Sequence, residues 1–227
     1  MERVYPRFLH CGDMGLMVEL GEGIDMDVNR RVHQLRRRLE RLNPSGILAL
    51  VPTYRSLFIQ YDPLLCSYER LMLLVEQSLE SLEGFREPSR VVEIPVCYGG
   101  PFGPDIGEVA EANGLTEDEV IRRHASGRYL VYMIGFTPGF PYMGGLDPRL
   151  HTPRKRQPRT KVPAGSVGIA EQQTGIYPIE SPGGWQIIGR TPLRLFDPDR
   201  TPAFLVEAGD TVIFRSIGRE DFERLAH

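Results

Sequence analysis

Gly135-Phe136-Thr137-Pro138-Gly139-Phe140-Pro141-Tyr142 opens the stretch around which this chain is organised, and Ser181-Pro182-Gly183-Gly184-Trp185-Gln186-Ile187-Ile188-Gly189-Arg190 closes it. Between them lie a basic run, Arg154-Lys155-Arg156-Gln157-Pro158-Arg159-Thr160-Lys161, and the turn Val162-Pro163-Ala164-Gly165-Ser166. Glycine and proline at this density oppose long regular elements, because proline lacks a backbone donor and glycine costs chain entropy. The interleaved aromatics Phe136, Phe140, Tyr142, Tyr177 and Trp185 are too many for a disordered linker. The stretch predicts fixed, tightly turned loops on a β scaffold, where sites are commonly built.

Working outward, short strands are expected over 91–96, 129–134, 193–196, 204–206 and 211–216, with Ala208-Gly209-Asp210 as a tight turn. Many short strands with Gly/Pro turns suggest a closed barrel or sandwich for residues 92–217. Two short helices occupy 105–125, the first ending at Asn113-Gly114 and the second opened by a Thr116/Glu119 capping box. The N-terminal part alternates Leu16, Val18, Leu20 and later Leu57, Ile59, Tyr61, which reads as strands. Val28, Val32, Leu35, Leu39 and Leu42 follow helical spacing after Asp25 or Asp27, and a second helix is expected over 67–83. The order ββαββαβ suggests a small α+β sandwich with both helices on one sheet face. Two domains are expected, 1–88 and 89–227, with the boundary at 84–89.

Of 227 residues, 41% are hydrophobic and 25% charged, an ordinary soluble composition. A net charge of -3 argues against general nucleic-acid binding. The helix pair at 105–125 resembles a helix-turn-helix, but Glu117-Asp118-Glu119 would meet phosphates and be repelled. Cys11, Cys66 and Cys97 are odd in number and form no Cys-x-x-Cys, so no disulfide framework or zinc site is indicated. No apolar run approaches the ~20 residues of a membrane helix, and the start lacks a signal-peptide core. The expectation is a cytoplasmic protein.

The basic segment is kept from helix by Pro153 and Pro158 and presents its cations from a constrained extended loop. Arginine forks suit carboxylates and phosphates. The turn at 162–166 can align backbone amides and the Ser166 hydroxyl, although Ala164 in place of glycine speaks against a nucleophile elbow. Tyr177 and Ser181 add donors, and Trp185 adds a stacking plane. No metal-ligand spacing occurs. The glycine-rich Gly99–Gly103 turn, before a helix, is a weak anion-binding candidate without the lysine of a P-loop. His124, at a helix end, is more often a helix C-terminal cation or a satisfied structural group than a catalyst. The residues alone describe a site for an anionic small molecule or phosphate, without a metal cage and open to completion by another chain.

The four motifs Gly-Phe-Thr-Pro-Gly-Phe-Pro-Tyr, Pro-Arg-Thr-Lys-Val-Pro-Ala-Gly-Ser-Val, Gly-Ile-Tyr-Pro and Ser-Pro-Gly-Gly-Trp-Gln-Ile-Ile-Gly-Arg-Thr-Pro resemble the allophanate hydrolase subunit 1 (KipI-like) family, whose members include components of bacterial ATP-dependent 5-oxoprolinases. The resemblance spans essentially the whole chain. It implies an α+β N-terminal domain followed by an all-β, cyclophilin-like barrel. It implies ATP-driven cleavage of 5-oxo-L-proline to L-glutamate, with ATP, accompanied by Mg, as co-substrate and no tightly bound cofactor. The implied partners are the C subunit (KipA-like) and the A subunit (LamB/YcsF-like) of a 5-oxoprolinase, with no nucleic acid and no membrane. Catalytic roles are expected for His124, Arg159, Lys161 and Tyr177. Substrate contacts are expected from Phe136, Pro138, Gly139, Phe140 and Tyr142, from Pro163, Ala164, Gly165 and Ser166, and from Ser181, Pro182, Gly183, Gly184, Trp185 and Arg190. Within the same family, the alternatives are a sensor-histidine-kinase inhibitor and a component of an allophanate or urea amidolyase.

Overall fold

Residues 4–82 and 90–226 are described by the structure, a computed structural model. The chain divides into two compact units, Met1–Pro88 and Ser89–His227. The boundary expected at 84–89 lies outside the described residues.

In the first unit the alternating stretches become an antiparallel sheet. Strands β1 (Arg7–His10) and β2 (Gly15–Glu19) pair with Phe8 opposite Val18. Helix α1 (Met26–Leu42) starts where the Asp25 carboxylate accepts the amides of Asp27 and Val28, and ends at Asn43 in a left-handed conformation, φ 43°. Strands β3 (Ile47–Pro52) and β4 (Ser56–Tyr61) complete a sheet of order β1-β2-β4-β3, and helix α2 (Tyr68–Glu80) follows with Ser67 as its cap. Leu16, Val18, Leu57, Ile59, Val32, Leu35, Leu39, Leu71 and Val75 share one buried cluster. Leu42, at the helix end, is exposed instead of buried.

The second unit is a closed barrel. It runs β5 (Val91–Tyr98), α3 (Ile106–Asn113), α4 (Glu117–Ser126), β6 (Arg128–Gly135) and β7 (Phe140–Gly144). The chain continues with β8 (Arg159–Val162), β9 (Ser166–Ala170), β10 (Gln173–Ile176), β11 (Ser181–Gly183), β12 (Gln186–Arg190), β13 (Thr211–Ser216) and α5 (Arg219–Leu225). The barrel order is β10-β7-β6-β13-β5-β12-β9, and β9 closes it by pairing with β10. Strands β8 and β11 form a separate two-stranded ribbon. Among the described residues the unit adds three α-helices, α3, α4 and α5, to the barrel, so it is not the all-β domain that the resemblance implied, although α3 and α4 fall where two helices were expected.

Neighbouring residues on a strand face opposite ways, and β12 shows it. Ile188 joins the large core with Ile94, Val131, Val167 and Phe214, while Ile187 joins a second cluster with Phe140, Tyr177 and Trp185.

Two expectations need correction. The strands expected at 193–196 and 204–206 do not form, and only an isolated bridge joins Phe196 to Phe204. Backbone pairing is confined to the amides of Leu205 and Asp197 donating to the carbonyls of Leu195 and Ala203, and the Arg200 guanidinium adds donors to the carbonyls of Arg194, Leu195, Pro202 and Ala203. The central stretch, by contrast, is more regular than its composition suggested, since β7 to β12 all lie within it. Short strands tolerate its glycines because packing demands them. A Cβ on Gly175 would meet Trp185 and Phe140 at 2.9–3.0 Å.

Candidate functional site: an aromatic cleft

Five aromatics from the barrel and its connections converge. Phe140 of β7 lies 5.1 Å from Tyr177, 5.4 Å from Trp185 and 4.8 Å from Tyr142, centroid to centroid. The first two contacts are edge-on, the arrangement that aromatic quadrupoles favour. Phe136, 61% exposed, stands edge-on to Phe140 at 5.7 Å. Together with Arg154, Pro158 and Pro182-Gly183-Gly184 they enclose a cleft of about 320 Å³. The β8–β11 ribbon forms part of its wall, and the ribbon passes so near Tyr177 that a Cβ at Gly183 would collide with the phenol oxygen. Glycine is required there by close approach.

A buried carboxylate holds the basic segment beside this cleft. Asp105, 1% exposed at the start of α3, accepts from both guanidinium arms of Arg159 (2.6 and 2.8 Å), from Lys155 Nζ (2.9 Å) and from the Ile187 amide (2.7 Å). Burial alone pushes its pKa up, but the hydrogen bonds from Arg159, Lys155 and Ile187 outweigh burial and hold it below the usual carboxylate range. Lys155 also pairs with Glu108 at 2.8 Å. The Lys155 amide donates to the Gly184 carbonyl at 2.7 Å, and Gln186 donates to the Pro153 carbonyl at 3.1 Å. The segment is therefore stapled on both sides of Arg154.

Eight expected site residues meet at the cleft: Phe136, Phe140, Tyr142, Tyr177, Pro182, Gly183, Gly184 and Trp185. Burial raises the Tyr177 phenol, against a Trp185 backbone hydrogen bond that lowers it, so at neutral pH it is an uncharged donor. Others go elsewhere. Ala164, Gly165 and Arg190 line a second groove of about 750 Å³ that also includes Arg194 and Asp197. Pro138 and Gly139 form the β6–β7 turn, with Gly139 at φ 86°. Pro163 is exposed, Ser166 is buried at the start of β9, and Ser181 is buried in β11 with its hydroxyl lacking a hydrogen-bond partner among the described residues. Lys161 is 77% exposed and pairs with Glu180 at 3.2 Å.

Two functional expectations meet a different geometry. The amides of Gly165 and Ser166 do not point outward for an anion. They donate to the carbonyls of Tyr177 (2.7 Å) and Pro163 (3.2 Å). His124 is fully buried beside Phe214 and Tyr129, away from the cleft lining. Its Nε2 is 2.9 Å from Thr174 Oγ1, and Thr174 in turn donates to the Gly168 carbonyl. A carbonyl only accepts, so the Thr174 proton is spent there and Nε2–H must donate to Thr174. Nδ1 then accepts from the Tyr98 hydroxyl, 2.8 Å away. Burial lowers the His124 pKa to about 3, which keeps the imidazole neutral.

The Gly99–Gly103 turn leaves few amides for an anion. The amides of Gly99, Phe102, Gly103, Asp105 and Ile106 all donate to internal carbonyls, and the head of α3 already carries the Asp105 carboxylate. Among the described residues no group of three or more His, Cys, Asp or Glu could hold a metal ion. No helix among them is long and apolar enough to cross a membrane.

Sequence reasoning missed Asp105 as the anchor and did not single out Arg154 among the cations. Nothing local marks either residue, because the pairing of Asp105 with Arg159 spans 54 residues.

A family model described as carboxyltransferase domain, subdomain C and D, matches residues 6–206. The chain is 46% identical over 222 residues to the 5-oxoprolinase B subunit of Bacillus subtilis (strain 168), covering 93% of this chain and 92% of the relative. It is 43% identical over 206 residues to the 5-oxoprolinase B subunit of Escherichia coli O157:H7, covering 89% and 92%. Urea amidolyase of Lachancea kluyveri is a more distant relative, 27% identical over 96% of this chain but only 14% of that protein. Among solved structures, TTHA0988 superposes with a TM-score of 0.80 at 42% identity over 90% of this chain, which spans 40% of that longer chain. The chain belongs to the carboxyltransferase domain family, subdomain C and D, the allophanate hydrolase subunit 1 (KipI-like) group that includes the B subunits of 5-oxoprolinase.

Proposed function

We propose that this chain is the B subunit of an ATP-dependent 5-oxoprolinase, which opens the lactam of 5-oxo-L-proline to give L-glutamate and acts only when assembled with the C (KipA-like) and A (LamB/YcsF-like) partners. The observation that carries this reading is the cleft. It is small, walled by aromatic faces, and supplied with neutral phenol donors from Tyr142 and Tyr177. Such a pocket suits a compact planar amide: the ring lies on aromatic carbon, and a buried phenol donates to the amide oxygen. The B-subunit relatives support the choice of a lactam.

The lactam is a stable amide, and ATP hydrolysis supplies the driving force in this reading. Because the amides of Gly99, Phe102 and Gly103 are already engaged, ATP and Mg are assigned to the partner chains. This chain binds and orients the lactam, excludes water with Trp185 and Phe140, and holds a proton at Tyr177. The barrel is assigned to the cyclophilin-like type, and the complex to the cytoplasm. An amidolyase role is the second reading, favoured by the 27% identity to urea amidolyase.

The test is ATP turnover by this chain mixed with its C- and A-type partners, with and without 5-oxo-L-proline. ATP hydrolysis that requires both the lactam and this chain is expected. A complex that assembles but whose ATPase ignores the lactam overturns the reading, and stimulation by urea or allophanate instead would favour the amidolyase.

A further inference from the structure

The cations of the basic segment are not equivalent. Lys155 and Arg159 are spent on Asp105, with Lys155 also on Glu108, and Lys161 faces Glu180. Arg154 lines the cleft with its guanidinium carbon 6.0 Å from the Trp185 ring centre, and it has no carboxylate partner among the described residues. The cleft lining contains no acidic residue, so a negative ligand group would meet no repulsion there. The neighbours of Arg154 are fixed. Pro153 is held through its carbonyl by Gln186, and Lys155 by the Gly184 carbonyl and two carboxylates. Its guanidinium is thus tethered over an aromatic plane and carries free donors, which lowers the ordering cost of capturing an anion.

We propose that Arg154 is the specificity-determining residue of the cleft: it binds the carboxylate of a small amide whose ring lies against Trp185 and Phe140. This deepens, and rests on, the reading of the chain as part of a 5-oxoprolinase. The substrate class follows. A cyclic amide bearing a carboxylate is accepted, whereas the same lactam without the carboxylate, or urea, loses the ion pair. Burial raises the phenols of Tyr142 and Tyr177, the charge of Arg154 works against that rise at both, and all three residues line the same cleft.

The test compares 5-oxo-L-proline with 2-pyrrolidinone, the lactam lacking the carboxylate, in the assembled complex carrying wild-type, Arg154→Gln or Arg154→Lys chain. A charge-assisted hydrogen bond is worth roughly a 10- to 100-fold change in binding. Arg154→Gln should raise KM for 5-oxo-L-proline by that factor with kcat within about twofold, leave 2-pyrrolidinone unaffected, and be partly rescued by lysine. Equal losses on both lactams, or no loss, overturn the proposal. If the wild-type complex ignores 5-oxo-L-proline, the proposed function fails by itself. Arg154 is then judged on the isolated chain by the fluorescence of Trp185, its single tryptophan. Titration with small cyclic carboxylates and with their neutral amides should show a carboxylate preference that Arg154→Gln abolishes. A wild-type cleft without that preference refutes the assignment.

Discussion

At the scale of single residues, two deeply buried titratable groups of the barrel unit act in opposite ways. Asp105 must stay charged, because Arg159 and Lys155 are turned inward to meet it. Removing its charge by Asp105→Asn leaves Arg159 without a counter-charge and Lys155 with Glu108 alone, and should cost about 3 kcal/mol in urea unfolding. Arg159→Ala should be non-additive with it, with a coupling of about 0.5–3 kcal/mol. Additive losses would mean that the pair contributes nothing as a pair. His124 must stay neutral. Its folded pKa is about 3, below its unfolded value near ~6.5, so the unfolded chain binds the proton first as pH falls. Its contribution to stability is therefore intact above about pH 6.5 and drains away down to about pH 3, at about 1.4 kcal/mol per pH unit. Asp105 follows the carboxylate rule, and its contribution is lost only at lower pH, as the medium approaches its depressed folded pKa. A His124→Gln chain should be less stable than wild type at pH 7, yet its unfolding free energy should fall less between pH 6.5 and pH 5. Parallel pH curves for the two chains would sink the assignment of His124 as a neutral structural bridge.

At the scale of elements, the turn between β6 and β7 carries a conformation that its sequence does not advertise. Phe136 sits at φ 63°, and the Thr137 amide donates to the Gly135 carbonyl at 2.7 Å, closing a three-residue turn of the strained hand. A phenylalanine at positive φ costs of order 1–3 kcal/mol relative to relaxed backbone. The strain is understandable if the exposed ring is needed as a wall of the cleft. Phe136→Gly should then leave the melting temperature equal or higher while weakening binding of 5-oxo-L-proline to the complex, read as a several-fold rise in KM. A lower melting temperature with unchanged KM would show that the ring serves packing only. The regular elements were legible because their signals are local. Alternation at Leu16/Val18 and Leu57/Ile59/Tyr61, helical spacing at Val32, Leu35 and Leu39, and the Thr116/Glu119 box all reappear in the structure. The cleft was legible in outline for the same reason, as aromatics crowded among glycines and prolines. The roles of Arg159 and His124 were not, because their partners lie 54, 50 and 26 residues away, at Asp105, Thr174 and Tyr98. No window of sequence shows that a cation is already spent or that an imidazole is already satisfied.

At the scale of the whole molecule, the two units have separate cores. The cluster built on Leu16, Leu35 and Ile59 shares no residue with the one built on Ile94, Val131 and Phe214. The barrel unit is also closed on itself in sequence. Its first strand, β5, pairs in parallel with its last, β13, from Val91 opposite Thr211 to Val96 opposite Ser216, and Arg90 reaches Asp210 beside that seam. A unit whose ends are paired to each other needs no strand from elsewhere to complete its ladder. The fragment 89–227 is therefore expected to fold alone, with cooperative urea unfolding followed by the fluorescence of Trp185. The full chain should then show two transitions. Fluorescence would report only the barrel, because the single tryptophan lies there, while far-UV circular dichroism would report both. One coincident transition by both probes would mean that the units unfold as one and that the separation of their cores has no energetic meaning. Because every residue lining the cleft belongs to the barrel unit, the fragment should also keep the cleft's affinity for small cyclic carboxylates within about threefold of the full chain, about 0.6 kcal/mol. A larger loss would place part of the binding energy in residues outside the barrel.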